Sequence, residues 1–290
     1  MCRFVFYQGR PLRISNLIKE PKHSLIHQSF HSERRRGPLN GDGFGMAWYQ
    51  HAISSEPALF RSVKPAWNDT NLIELSRIIE TSCVLAHIRA ATQQTEVSEL
   101  NCHPFKYGKY CFMHNGDIGG FPYMRRKLCE TLSDPYYHAI RGTTDSEHFF
   151  ALLMHFMDRD KERIRSQRML SAMRKTIQWF LDMRDLLGID KHFIVNAVFT
   201  DGHCAIAVRY SSVEFSESLF INVGNHYECH GNQCYMVNSG LEQGSTLISS
   251  EPLCDDGGWQ EVPVNTMTLI EEGIVKEQVA PGLELSEVVS

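Results

Sequence analysis

Apolar residues come in short runs bounded by turn residues over 2–7, 43–50 and 58–63, which predicts three strands. The polar stretch between the first two is expected to be partly helical. After Asp69 and Thr70, a capping-type pair, Leu72, Ile73, Leu75, Ile78 and Ile79 recur at helical spacing, predicting a helix to about residue 81. Strand-length apolar runs return over 83–91 and 110–114, and each runs into a polar cluster. From 145 to 187 the period is helical again. Phe149, Leu152, Leu153 and Phe156 form one stripe, and Met169, Met173, Ile177, Phe180 and Leu181 another, so two helices are expected. Strands are predicted over 193–200, 204–210, 219–223, 234–237, 246–249 and 262–270. Two groups of strands with the helices segregated between them argue for an α+β architecture with sheets packed face to face. No repeat, low-complexity tract or linker marks a boundary, so a single domain over 2–290 is expected.

Composition narrows the functional classes. With Lys+Arg 29 against Asp+Glu 34, a net charge of -5 provides no basic field, and no nucleic-acid partner is expected. The amino terminus lacks the basic region, apolar stretch and small-residue site of a signal peptide, and no apolar run approaches membrane-spanning length. Nine cysteines at scattered spacing suggest no disulfide framework and fit a reducing cytoplasm. Cys229 and Cys234, with His226 nearby, have some look of a metal site. Structural zinc needs four placed ligands, so a polar hairpin is expected there, with no metal and no cofactor. The basic run over 159–168 reads as a solvated helix face.

Four clusters could carry chemistry. Cys2 would become the terminal residue once Met1 is removed. Its α-amine, titrating near ~7.7 to 8, could then take the proton of a thiol near ~8.5 without a separate histidine. Taken alone, Cys2 reads more readily as an ordinary small residue opening an edge strand. In Ala86-His87-Ile88-Arg89-Ala90-Ala91-Thr92 an apolar strand ends in an arginine flanked by small residues, which could offer its planar fork to a carboxylate or pair with an internal acid. Asn115-Gly116 after a strand signals a tight turn. An Asn amide and a Gly N–H are also suitable oxyanion donors, each removable at a cost of about 2.7 to 4 kcal/mol in comparable sites. Thr144 to Glu147 is a helix-capping sequence, and Asp145 within it could also meet an ammonium group. Together these residues describe a receptor for an α-amino acid whose side-chain carbonyl is attacked.

The sequence resembles the class II glutamine amidotransferases, particularly the stand-alone form without a fused synthetase domain. The resemblance spans most of the chain. It rests on Met1-Cys2-Arg3, the segment from Asn40 to Trp48, His87 to Thr92, Asn101-Cys102-His103-Pro104-Phe105, His114-Asn115-Gly116, Gly142 to Glu147 and Ser250-Glu251-Pro252-Leu253, in that order. It implies a four-layer αββα sandwich of two antiparallel sheets, the N-terminal-nucleophile hydrolase fold. It also implies a γ-glutamyl thioester on Cys2, with Arg89 holding the substrate carboxylate, Asp145 its ammonium, and Asn115 with Gly116 the oxyanion. Thr92 and His103 would shape the pocket, and Asp42 and Gly43 would position the loop beside the nucleophile. The tryptophan usual inside the arginine motif of the fused enzymes is replaced by Ala90-Ala91, and Gln93 stands where they have glycine. This favours the stand-alone branch, whose members include enzymes that cleave γ-glutamyl amides in glutathione breakdown and ergothioneine synthesis. Three readings therefore stand: hydrolysis of glutamine or a γ-glutamyl amide with ammonia passed to a separate subunit, a dedicated γ-glutamyl peptidase, or a non-catalytic binding module if Met1 stays in place.

Overall fold

The computed structural model describes residues 2–31, 39–90, 96–238 and 244–281. The chain opens with β1 (Arg3–Arg13), two short helices α1 (Ser15–Ile18) and α2 (Leu25–Phe30), and the strands β2 (Phe44–Trp48) and β3 (Ala58–Ser62). Next come α3 (Thr70–Ile78), β4 (Glu80–Ile88), β5 (Phe105–Tyr107) and β6 (Tyr110–Ile118). The central helices are α4 (Phe121–Thr131), α5 (Asp134–Ala139), α6 (Asp145–Arg159) and α7 (Arg165–Leu187). The remaining strands are β7 (Phe193–Thr200), β8 (Cys204–Ser211), β9 (Phe220–Gly224), β10 (His226–His230), β11 (Gln233–Val237), β12 (Ser245–Ser249), β13 (Gln260–Glu261), β14 (Thr266–Glu271) and β15 (Ile274–Val279).

Two antiparallel sheets result, one ordered β13-β9-β12-β1-β4-β2-β3 and the other β15-β14-β8-β7-β6-β5, with β10 and β11 forming a separate hairpin. Side-chain alternation assigns the layers. Phe4, Phe6, Leu85 and Ile248 of the first sheet meet Cys111, Met113, Val198 and Ala207 of the second. The opposite face of the first sheet, with Val5, Val84, Ala86 and Met46, packs on Leu17, Leu25 and Leu72 of α1–α3. The opposite face of the second, with Phe112, Val195, Phe199 and Ile206, packs on Phe149, Leu153, Met173 and Phe180 of α6 and α7. The architecture is therefore α+β, an αββα sandwich. Both faces of β7 are covered and every one of its residues is buried, which is why it is apolar apart from Asn196 and Thr200.

Several boundaries differ from expectation. The third helix stops at Ile78, because Glu80 and Thr81 pair with Arg13 and Leu12 and Ile14 N–H bonds to the Ile79 carbonyl. The strand expected at 110–114 continues to Ile118, pairing along β7, so Asn115-Gly116 lies within a ladder and makes no turn. β1 is a central strand, not an edge, because β12 and β4 flank it. The strand expected at 262–270 begins only at Thr266, after Val262 has bonded across to Leu219. The basic run is split between the end of α6, the turn after it and the first turn of α7, and in that turn Asp160 accepts from Ser171 and Lys175. Cys229 and Cys234 sit opposite each other in the expected hairpin and form a disulfide, where scattered spacing had suggested none. No helix among the described residues is long and apolar enough to cross a membrane.

Candidate active site

The ladder sets where the amino terminus lies. Arg3 is opposite Ile88, so Cys2 comes level with Arg89 and Ala90, just past the end of β4. Its half-buried thiol lies 3.7 Å from the Ala90 carbonyl and 3.5 Å from the Ala90 N–H, which donates to it. Burial pushes the thiol above its ordinary pKa, against the pull of the Ala90 amide, Arg89 and Arg3. At neutral pH such a thiol stays protonated and needs a base to become a nucleophile.

Cys2 is held from behind. Arg3 Nη1 donates to the Cys2 carbonyl at 3.0 Å, and Arg3 Nη2 pairs with Glu251 at 2.8 Å, both side chains 5% exposed. Ser250 completes the clamp, its Oγ accepting from Phe4 N at 3.0 Å and its own N–H bonding to the Phe4 carbonyl.

Arg89 is buried, and both its terminal nitrogens donate to the Glu96 carbonyl at 3.2 Å. Asn101 donates to the same carbonyl at 3.0 Å and accepts from Thr143 N at 3.0 Å, tying the arginine segment to the start of α6. Asp42 N–H bonds to the Arg89 carbonyl, and Arg89 N–H to the Gly43 carbonyl. Gly43 has φ +109°, and a Cβ there would press on the Ser62 carbonyl and the Cys102 sulfur, so glycine is required in this loop. Thr92 lies outside the described residues.

Asp145 occupies the first position of α6, and Thr144 caps the helix by accepting from Glu147 N. One Asp145 oxygen accepts from Ile118 N at 3.0 Å, and the other from Ser146 N at 2.7 Å and Ser146 Oγ at 3.1 Å. The carboxylate is thereby fixed three residues along the strand from Asn115. His114 Nδ1 is 2.8 Å from Ser146 Oγ, and its ring lies where a Cβ on Gly116 would go, beside the Ile194 carbonyl. Gly116 thus serves close packing of the strand. Asn115 is buried, and its side-chain oxygen finds no partner among the described residues.

His87 joins the two halves, its Nε2 bonding to the His114 carbonyl at 3.2 Å across the sheets. The His103 ring lies tilted against His87 with centroids 4.3 Å apart, and neither of its ring nitrogens has a partner among the described residues. Burial drives His87 down to about 3, and burial, with His87 next in order, holds His103 well below its ordinary value. An unfolded histidine binds a proton below about 6.5 whereas folded His87 does so only near 3, so the unfolded state carries more protons between those values. Stability is therefore present above about 6.5 and falls with acidification, by up to about 1.4 kcal/mol per pH unit for each such histidine. Urea midpoints between pH 7.5 and 5 are expected to drop, with a shallower slope in His87→Gln. Equal slopes in the two proteins would refute this.

Among the described residues, no group of three or more His, Cys, Asp or Glu is placed to hold a metal ion. Sequence reasoning missed Glu251 as the partner of Arg3, and likewise His87, Asn101 and Ser146. Their motifs were visible, but each acts through a partner between 27 and 248 residues away.

Comparison with known proteins gives a consistent result. A family model for class-II glutamine amidotransferases matches residues 17–287. The probable glutamine amidotransferase DUG3 of Saccharomyces cerevisiae is 36% identical over 294 residues, covering 94% of this chain and 82% of that protein. The gamma-glutamyl-hercynylcysteine sulfoxide hydrolase of Mycolicibacterium smegmatis is 31% identical over 264 residues, covering 91% of this chain and 92% of the other. A solved structure of a glutamine aminotransferase class-II domain protein from Silicibacter pomeroyi superposes with TM-score 0.66 at 26% identity, over 97% of this chain and all of that one.

Proposed function

This chain belongs to the class II glutamine amidotransferase family and is an enzyme, and from that premise we propose that it hydrolyses the γ-amide bond of glutamine or a γ-glutamyl amide through Cys2. One arrangement carries the reading: the Cys2 thiol lies beside Arg89 at the end of one sheet, and His87 ties that end to the strand bearing Asn115, Gly116 and the amide that fixes Asp145. With Met1 removed, the freed α-amine takes the thiol proton and Sγ attacks the γ-carbonyl carbon. Asn115 and the Gly116 N–H receive the developing oxyanion. Collapse breaks the C–N bond, the amine leaves with the proton, and water then cleaves the γ-glutamyl thioester to glutamate. Arg89 takes the substrate carboxylate and Asp145 its ammonium, with Thr92 and His103 shaping the pocket. Burial lowers the proton affinity of His87 and His103, which leaves the base role to the amine.

The hydrolase relative, whose name specifies a large γ-glutamyl compound, supports a leaving group bigger than ammonia. An ammonia-accepting partner belongs to this reading only where glutamine is the substrate. Seven free cysteines fit a cytoplasmic setting. The test is a panel of glutamine, glutathione and γ-glutamyl amines with glutamate and ammonia both measured, alongside intact mass. Active protein that retains Met1 would sink the mechanism.

Arg89→Lys is expected to raise KM roughly 10- to 100-fold, since an ammonium cannot reproduce the two-pronged contact. Steady-state kinetics on the best substrate of the panel measures it. An unchanged KM removes Arg89 as the carboxylate anchor.

A further inference from the structure

Beside the glutamyl site, a cavity of about 370 Å³ opens between the edge strands of the two sheets and α5 and α6. Leu59, Phe105, Tyr136, Ile140, Phe150 and Met154 give it an apolar wall. Arg61, Lys106, Arg141 and Glu147 also line it, whereas Cys2 and Arg89 do not. A concave apolar wall with a few converging charged groups is the usual form of a small-molecule site.

The charges do not cancel within the cavity. Lys106 is paired with Glu56 at 2.9 Å. Glu147 is turned to the backbone, accepting from Arg141 N at 3.0 Å and Gly142 N at 2.6 Å. Arg61 is partly buried, donates to the Cys102 carbonyl at 3.2 Å, and has no carboxylate within ion-pairing distance among the described residues. The Arg141 guanidinium has neither a hydrogen bond nor an ion pair among them. Among the residues that line the cavity, two unpaired guanidinium charges face the single Glu147 carboxylate, while Glu99 acts on Arg61 from outside the lining. Burial lowers the pKa of Arg61 and repulsion from Arg141 adds to that, while Cys102, Glu147 and Glu99 oppose it. A partly buried guanidinium whose nearest acids stand beyond ion-pairing distance keeps donors to offer, and its fork matches a carboxylate.

We propose that this cavity binds a small organic monoanion, its carboxylate between Arg61 and Arg141 and its apolar body against the Phe105, Tyr136 and Phe150 wall. The site is distinct from the one that receives the glutamyl group, although the two share a frame. Leu100 and Arg141 line the cavity, while Asn101, next to Leu100, donates to the Glu96 carbonyl that accepts from Arg89 and is itself held by the Thr143 N–H. Binding does not depend on turnover, so the proposal survives or fails independently of the hydrolase reading.

The test is calorimetric titration of the full chain with 3-phenylpropionate, with 3-phenylpropanol as its uncharged analogue. Saturable binding of the carboxylate is expected, at least roughly tenfold tighter than the alcohol, and lost in Arg141→Gln and in Arg61→Gln. Arg141 is exposed and its guanidinium makes no hydrogen bond or ion pair among the described residues, so the Arg141→Gln variant reports on the site even if Arg61→Gln proves unstable. Binding should persist in Arg89→Lys and under saturating glutamate. Equal affinity for the alcohol, undiminished binding in Arg141→Gln, displacement by glutamate, or no saturable heat up to roughly 10 mM would each overturn the proposal.

Discussion

With alanine in place of Cys2, glutamate release from γ-glutamyl amides is expected to fall by roughly 10⁴- to 10⁶-fold, the range seen when a covalent nucleophile is removed. The fold should be untouched. The thiol's contacts are two long sulfur interactions with the Ala90 backbone, while the register of β1 is set by its ladders with β4 and β12. Thermal unfolding and turnover measured on the same preparation separate the two effects. Wild-type rates in Cys2→Ala would refute the assigned chemistry, and a large loss of thermal stability would mean that the thiol is a packing group.

The second large effect concerns the buried pair behind the nucleophile. Taking Glu251 to Gln leaves the Arg3 guanidinium charged, 5% exposed and without its carboxylate, and should destabilise the protein by about 3–5 kcal/mol. Replacing both partners by apolar groups of similar volume, Arg3→Met with Glu251→Leu, should restore most of that loss, because no buried charge remains. Activity should not return with it. Arg3 also fixes the Cys2 carbonyl at 3.0 Å, and an apolar side chain cannot hold the terminal residue against Arg89 and Ala90. Urea midpoints and kcat on the three proteins decide the matter. If the double variant recovered kcat together with stability, the pair would have no part in aiming Cys2. If Glu251→Gln left the midpoint unchanged, its charge would not matter to the fold.

Legibility in the sequence followed the range of the cause. Thr144 was readable as a helix cap because the cap, the acids and the donating Glu147 N–H lie within four residues, and the structure keeps that geometry. The stripes of α6 and α7 were readable because one face of each packs on a sheet. α4 and α5 were not read. α4 buries only Phe121, Met124 and Leu128 and α5 only Tyr136, too few positions to show a period. β15 escaped for a similar reason, as an outer strand with no fully buried residue. The Asn115-Gly116 turn was misjudged because a local signal was overridden by pairing with Asn196 and Val195, about 80 residues away.

The sequence by itself determined the chemical inventory: a cysteine next to the start, an arginine at a strand end, an Asn-Gly pair, an aspartate in a helix's first turn, and the α+β arrangement of the elements. Each of these is a short-range property, written in neighbours or in a period. The tertiary structure alone decided that Cys2 stands beside Ala90, that Glu251 clamps Arg3, that His87 joins the sheets at the site, and that Arg61 and Arg141 meet around a cavity. These relations depend on strand register and sheet packing. Both are set by many distant side chains at once, so no local window of the sequence contains them.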